Sequence, residues 1–272
     1  MSRFSKEWLD LREEADFNAR NKALAERAIR WVRSAKTTAP VIVDLGTGTG
    51  STLRALTTLG ANGCIWRLVD YDPVLLNEAL RRHVHETVIE DYEADIVQLD
   101  ELPLNGAHLV TASALFDLVS ADLVDGLIKR LQSQRCAFYA AINYDGNTEW
   151  SPHHPYDAAV LKTFNQDQQR EKGLGAALGP GSPAYLINAF TAAGYTVHTG
   201  DSPWCLDGKN RILVKELING IYQAVAWGYG LDKLLLEDWK RFRLSHIKNG
   251  ICVIGHQDIL ALPPGIDESE LR

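Results

Sequence analysis

Between Val41 and Leu59 the chain reads as a strand, a glycine turn and a helix, and this unit limits the fold more than any other stretch. Val41-Ile42-Val43 is a β-branched run ending at Asp44. Gly46, Gly48 and Gly50 follow at alternate positions, and Ser51–Leu59 then carries apolar residues at helical spacing. Glycines so placed permit turns that a Cβ disfavours and let a ligand approach the main chain. The turn delivers the chain to a helix N-terminus, whose free N–H groups attract electronegative ligand atoms. Open α/β sheets use such units to bind ligands beyond the carboxyl ends of their strands.

The alternation continues downstream. Cys64–Val69 is a second strand ending at Asp70, and Pro73 opens a helix through residue 82, where a first-turn proline is tolerated. Thr87-Val88-Ile89 is the candidate third strand, leading to Asp95. Ala107–Ala112 is the fourth, Ala121–Leu131 a helix and Cys136–Ile142 the fifth strand. A helix over Pro183–Ala193, a strand over Tyr195–Thr199, helical sequence over 209–247 and a closing strand over Ile251–Ala261 complete the pattern. It predicts an α/β fold with a doubly wound, seven-stranded, mostly parallel sheet. Residues 5–34 have helical periodicity, giving an N-terminal helical cap over 1–36 and a main domain over 37–272. Two stretches interrupt that domain, at 143–183 and 203–248. The first is polar, aromatic and glycine-rich, and longer than ordinary βα connections, as expected of a lid or binding segment.

Composition narrows the partners. A chain of 272 residues with 46% hydrophobic and 23% charged residues suits one large α/β domain with insertions. The formal net charge of -7 disfavours a broad surface for nucleic acid. Lys240, Arg241, Arg243, His246 and Lys248 form one basic cluster on a predicted helix, read as a solvated face. No apolar run reaches the length of a membrane span, and the charged N-terminus lacks a secretory signal's apolar stretch. The expectation is a cytoplasmic protein with no membrane partner. Cys64, Cys136, Cys205 and Cys252 form no CxxC pair, so no zinc site or disulfide framework is expected.

The loop also discriminates among ligands. A dinucleotide fingerprint, GxGxxG from Gly46, would place its third glycine at residue 51, which is Ser51; here it is Gly50. Asp44, just ahead of the glycines, sits poorly beside a pyrophosphate but suits a cationic amino group. The loop therefore favours a cofactor with an ammonium and no phosphate. Asp44-Leu45-Gly46-Thr47-Gly48-Thr49-Gly50 resembles motif I of class I S-adenosylmethionine (SAM)-dependent methyltransferases, E/DxGxGxG. The resemblance covers roughly residues 40–142. It implies that Asp44, Gly46, Thr47, Gly48 and Gly50 surround the methionine part of SAM, with S-adenosylhomocysteine (SAH) as product. It implies that Asp70, with Tyr71 beside it, holds the ribose hydroxyls, and that Asp95 and Ile96 lie near the adenine. Ala112–Asp117 falls at the family's motif IV, between methyl donor and acceptor. Arg12, Asp16 and Arg20 share a helix face by i, i+4 spacing. They form either a solvated ion-pair ladder or a cover over the cofactor, in which Arg12 or Arg20 binds the SAM carboxylate.

Methyl transfer from a sulfonium asks a protein to align donor and acceptor, exclude water and, where needed, remove a proton. Candidates for proton removal or acceptor positioning are His153 and His154 in Trp150–Asp157, Asp117 in the motif IV segment, and Tyr144 just after the fifth strand. Asn165, Gln168, Arg170 and Lys172 around Phe164 form either a substrate-facing or a solvated polar face. Trp204, Trp239 and His256 are read as core residues. The expected activity is methyl transfer to a small-molecule acceptor. Ala112–Asp117 lacks the Asn/Asp-Pro-Pro-aromatic signature of many enzymes that methylate base or glutamine nitrogens. An RNA or protein methyltransferase, a non-catalytic SAM-binding protein and an NAD(P)-dependent oxidoreductase stay open as alternatives. Nothing in the sequence fixes an oligomeric state.

Overall fold

Strand β1 (Val41–Leu45) is buried at every position and lies between β2 (Ile65–Asp70) and β4 (Leu109–Ser113), both parallel to it. The computed structural model describes residues 4–83, 88–171, 174–226 and 230–265; Thr87 and Lys172 lie outside them. With β3 (Val88–Glu93), β5 (Ala137–Ser151), β6 (Thr196–Asp201) and β8 (Ile251–Leu262), the strands form one sheet in the order β3-β2-β1-β4-β5-β8-β6. The pairs from β3 to β5 are parallel, and β8 runs antiparallel to both β5 and β6. An eighth strand beyond the seven expected, β7 (Trp204–Leu206), adds a three-residue pairing to β8. This is the doubly wound, mostly parallel sheet that the methyltransferase resemblance implies.

Alternation along the strands fills both faces. Ile42, Leu68, Leu109 and Tyr139 face α2 (Lys22–Ser34), α3 (Ser51–Thr58) and α4 (Pro73–His83). Val43, Val110 and Phe138 face α5 (Ala121–Gln134) and α7 (Ser182–Ala192). Each fully buried leucine or isoleucine in these layers contributes roughly 1.5–3 kcal/mol, enough for α3, only eight residues long, to be held by Leu53 and Leu56. A third apolar cluster joins α1 (Lys6–Ala19), α6 (Asp157–Gln168), α8 (Arg211–Ala226) and α9 (Lys233–Ser245) to β7 and the far ends of β5 and β8. The connections on either side of β1 lead away in opposite directions. That leaves a crevice outside the carboxyl ends of β1 and β4.

Two expectations are revised. The fifth strand does not stop at Ile142; it runs to Ser151 through two register shifts against β8. Residues 143–151 are therefore sheet, and α6 makes up much of the remaining segment. The polar sequence there is the alternation of a strand with one exposed face. The basic cluster is not one solvated face either. Arg243 is buried, donating to the Pro152 carbonyl at 2.7 Å and to both Asp157 carboxylate oxygens at 2.5 Å. Lys240 lies 4.2 Å from the Tyr222 ring centroid, and Arg241 pairs with Asp238.

Candidate active site

The glycine turn takes left-handed backbone at all three glycines, with φ of +62° at Gly46, +53° at Gly48 and +83° at Gly50. A side chain would be strained at each. The Thr47 amide donates to the Val69 carbonyl at 3.0 Å, tying the turn to β2. Asp70 completes the tie: Oδ2 accepts from the Gly48 amide at 2.8 Å and Oδ1 from the Asp72 amide at 3.0 Å. The Tyr71 amide bonds the same carboxylate, which keeps some acceptor capacity beyond these amides. Burial raises the Asp70 carboxyl above its ordinary range, against the pull of those amides.

Around this turn opens a pocket of about 380 Å³. Its lining includes Gly46, Thr47, Gly48, Asp70, Tyr71, Asp95, Ile96, Arg12 and, from the end of β4 and the loop after it, Ser113, Ala114 and Leu115. Two glycine-motif positions and one motif IV position stand behind the wall instead. Gly50 N-caps α3, where an added Cβ would meet His83 Cε1 at 2.9 Å. Ala112 is fully buried in the core facing α5, because alternation along β4 hands the pocket to Ser113. Asp44 is buried one layer down, accepting from Thr47 Oγ1 at 2.8 Å while its Oδ1 has no hydrogen-bond partner. Burial pushes the Asp44 carboxyl up to about 7, opposed by the Thr47 hydroxyl and the Arg20 charge.

The two arginines part company. Arg12 lines the pocket but is held by Asp16 through two bonds, of 2.8 and 3.2 Å. Arg20 is buried beneath the pocket, its Nη2 3.4 Å from Ser113 Oγ and its Nε and Nη1 without partners. Asp258, fully buried on β8, fixes this layer. It accepts from Tyr139 Oη at 2.9 Å, the Ile142 amide at 2.8 Å and the Asn21 amide at 2.9 Å. Ile142 there has φ of +55°, strained backbone for a β-branched residue. Asp258 goes unread in the sequence, because its partners lie far away along the chain and no local pattern marks it.

None of the four candidates for acceptor chemistry lines the pocket. His153 is 76% exposed at its side chain and lies 3.2 Å from Asp157. His154 is buried against Tyr156 and Phe242, with Nε2 3.4 Å from Asp238 and Nδ1 3.3 Å from the Tyr156 amide. Both belong to the α6–α9 cluster. Tyr144 is buried and donates to Asn165 Oδ1 at 2.8 Å; burial pushes its hydroxyl up to about 12. Asp117 is half-buried, and its carbonyl accepts from the Gly179 amide. Of the polar run, Gln168 reaches the pocket. Trp204, Trp239 and His256 are buried. Among the described residues no three His, Cys, Asp or Glu side chains are grouped to hold a metal, and no helix is long and apolar enough to cross a membrane.

No family model and no curated protein matches the chain. Similar solved structures include a phosphoethanolamine N-methyltransferase 2 of Haemonchus contortus in complex with phosphomonomethylethanolamine and SAH (13% identity, TM-score 0.45, covering 87% of this chain and 52% of that one). This chain thus spans about half the length of that enzyme. Others are the cyclopropane synthase MmaA2 of Mycobacterium tuberculosis (11%, 0.49, 88% and 82%) and a putative methyltransferase of Bacillus halodurans (13%, 0.47, 88% and 98%). Agreement at this level is too loose to carry a function from those proteins to this chain. By its own strand order and glycine turn, the chain has the doubly wound α/β fold of the class I SAM-dependent methyltransferases.

Proposed function

We propose that this protein is a SAM-dependent methyltransferase acting on a small-molecule acceptor. One observation carries the reading: buried beneath the glycine turn lie an arginine and a carboxyl group, Arg20 and Asp44, each with polar atoms that no neighbour bonds. Buried polar atoms without partners are uncommon in folded proteins and call for a ligand or water. An α-amino acid head group supplies both partners at once, a carboxylate for Arg20 and an ammonium for Asp44. A pyrophosphate would satisfy Arg20 and be repelled by Asp44, so the pair disfavours a dinucleotide.

The remaining lining fits the same ligand. Gly46 and Gly48 leave room for a methionine chain against the backbone, Asp70 has acceptor capacity for a ribose diol, and Asp95 and Ile96 form the adenine end. Arg20, rather than Arg12, is the carboxylate partner, since Arg12 is already held by Asp16. When bound, SAM supplies a methyl group on a sulfonium, whose leaving group departs neutral. The chain's task is then to hold the acceptor in line beside Ser113–Leu115 and keep water out, which α1 does by covering the pocket with Leu9, Arg12 and Asp16. His153, His154, Tyr144 and Asp117 have no assigned step in this scheme.

Calorimetry with SAH tests the reading. Wild type gives a one-to-one isotherm, and Arg20→Met and Asp44→Ala each weaken it at least about tenfold, roughly 1.4 kcal/mol. Unchanged affinity in both variants, or binding of NAD in place of SAH, rejects it.

A further inference from the structure

The pocket continues past Leu115, which lies against Gly46, to a second end at Leu118 and Leu174. Gln168 of α6 lines it too, its amide nitrogen donating to Asp167 Oδ2 at 3.3 Å. Among the described lining residues of this end, the charged ones are Arg12 and Asp16, and they are spent on each other. Arg12 Nε and Nη2 meet the two Asp16 carboxylate oxygens at 2.8 and 3.2 Å, with both side chains nearly buried. Trp204 Nε1 donates to Asp16 Oδ1 at 3.0 Å, and the Arg12 guanidinium lies 5.3 Å from the Trp204 ring centroid. Behind them His256 packs on Trp204 and Tyr144. Burial and the Arg12 charge push the His256 imidazole down to about 3, so it is neutral at physiological pH.

Because the pair neutralises itself, it offers a charged acceptor no surplus counter-charge: an anion at the remaining Arg12 N–H groups also faces the Asp16 carboxylate and gains little for the water it loses. An uncharged one leaves the pair intact and gains by covering the leucines. Resting on the SAM reading above, we propose that the acceptor is an uncharged, largely apolar small molecule with a neutral hydrogen-bonding head, its body against Leu115, Leu118 and Leu174 and its head toward Gln168. Phosphorylated and carboxylated acceptors are disfavoured by the same wall. Arg12 and Asp16 act as specificity residues by removing net charge from it.

A near-isosteric trio separates the classes: 4-ethylphenol is neutral, 4-hydroxyphenylacetate anionic and tyramine cationic. Each is titrated into the protein with and without SAH. The neutral probe binds at least about tenfold tighter than either charged one, and Gln168→Leu weakens it several-fold while SAH affinity holds. In Arg12→Gln, where Asp16 keeps its charge without a partner, the preference shifts toward tyramine. Equal or reversed ranking in wild type, or no binding of any of the three, overturns the acceptor class whatever SAH does. Absence of an SAH isotherm instead rejects the cofactor reading, so the two failures are told apart.

Discussion

The two ends of the pocket are built in different ways. The end proposed for the cofactor comes from short segments at the carboxyl edges of successive strands: the glycine turn after β1, Asp70 and Tyr71 at the end of β2, Asp95 and Ile96 after β3, Ser113–Leu115 at the end of β4. The acceptor end is assembled across the chain. Asp16 and Trp204, 188 residues apart in sequence, meet in its wall, and Gln168 arrives from α6. The first end is fixed by local backbone geometry and each strand's termination. The second depends on α1 and β7 docking correctly, so it carries specificity and is exposed to mutation far from any motif.

Asp258 lies beneath the pocket, where it ties together elements that carry both ends, and its removal has the largest expected effect. Asp258→Ala leaves three hydrogen-bond donors and the Arg20 charge unanswered, in a layer joining α1–α2, β5 and β8. Loss of one partner from a buried charged network costs about 3–5 kcal/mol, read as a lowered urea midpoint at unchanged slope. A loss under about 1 kcal/mol would mean that the ends are independent and share no buried joint.

Substitution at Asp70 sharpens the comparison by staying local. Asp70→Ala releases the Gly48 amide and removes the ribose acceptor, so SAH affinity falls about tenfold or more, about 1.4 kcal/mol, while the ranking of acceptor probes is kept. A change in that ranking would show the two ends to be coupled through the glycine turn.

A pH titration isolates Asp44. Its folded carboxyl is raised from 3.8 to about 7. The folded protein therefore holds a proton that the unfolded chain releases near pH 4. That proton favours folding at acid pH, and the benefit disappears as pH rises to about 7. An ammonium placed beside Asp44 needs the carboxylate, so SAH binding expels the proton. Affinity rises with pH between 5.5 and 7, approaching tenfold per unit at most for one proton, and flattens above. Asp44→Asn loses that slope. A slope surviving in the variant assigns the proton to another group.

The same contrast explains what the sequence reveals. Val41–Leu59 shows the strand, the turn and the helix because apolar spacing and glycine positions are local signals. Asp70 and Asp95 follow from being where strands end. Ala112 is misplaced by one residue, since period-two alternation sends neighbours to opposite faces and the strand's phase was unmarked. The second half of β5 escapes because a strand solvated on one face has the composition of a loop. His153 and His154 are attractive by chemistry alone. Nothing within Trp150–Asp157 reveals that Asp157 turns toward Arg243 and Trp239, 86 and 82 residues away, and gathers both histidines into the α6–α9 cluster. Arg20 differs from Arg12 only through Asp258 and Ser113, which no helical periodicity on α1 reports.

The acceptor end is more sensitive than it looks to a single ring nitrogen. Trp204→Phe keeps most of the buried ring and removes the bond to Asp16 Oδ1. That costs about 1–2 kcal/mol of stability and weakens the neutral probe several-fold, with little change for SAH. Equal losses for both ligands would mean that Trp204 holds α1 over the whole pocket rather than over one end.

The smallest expected effect belongs to His153→Ala, and it tests where the acceptor end stops. The imidazole is largely exposed, its Nδ1 lies 3.2 Å from Asp157, and Asp157 keeps Arg243 as its buried partner. An exposed pair of this kind contributes about 0–1 kcal/mol, so the melting temperature barely moves. SAH affinity and probe ranking also hold, because neither end includes this residue. If turnover of a neutral acceptor nevertheless fell tenfold with SAH affinity intact, the α6–α9 cluster would have to reach the reacting atoms in the loaded protein. The acceptor end would then extend past Gln168 to a part of the molecule that here packs only against itself.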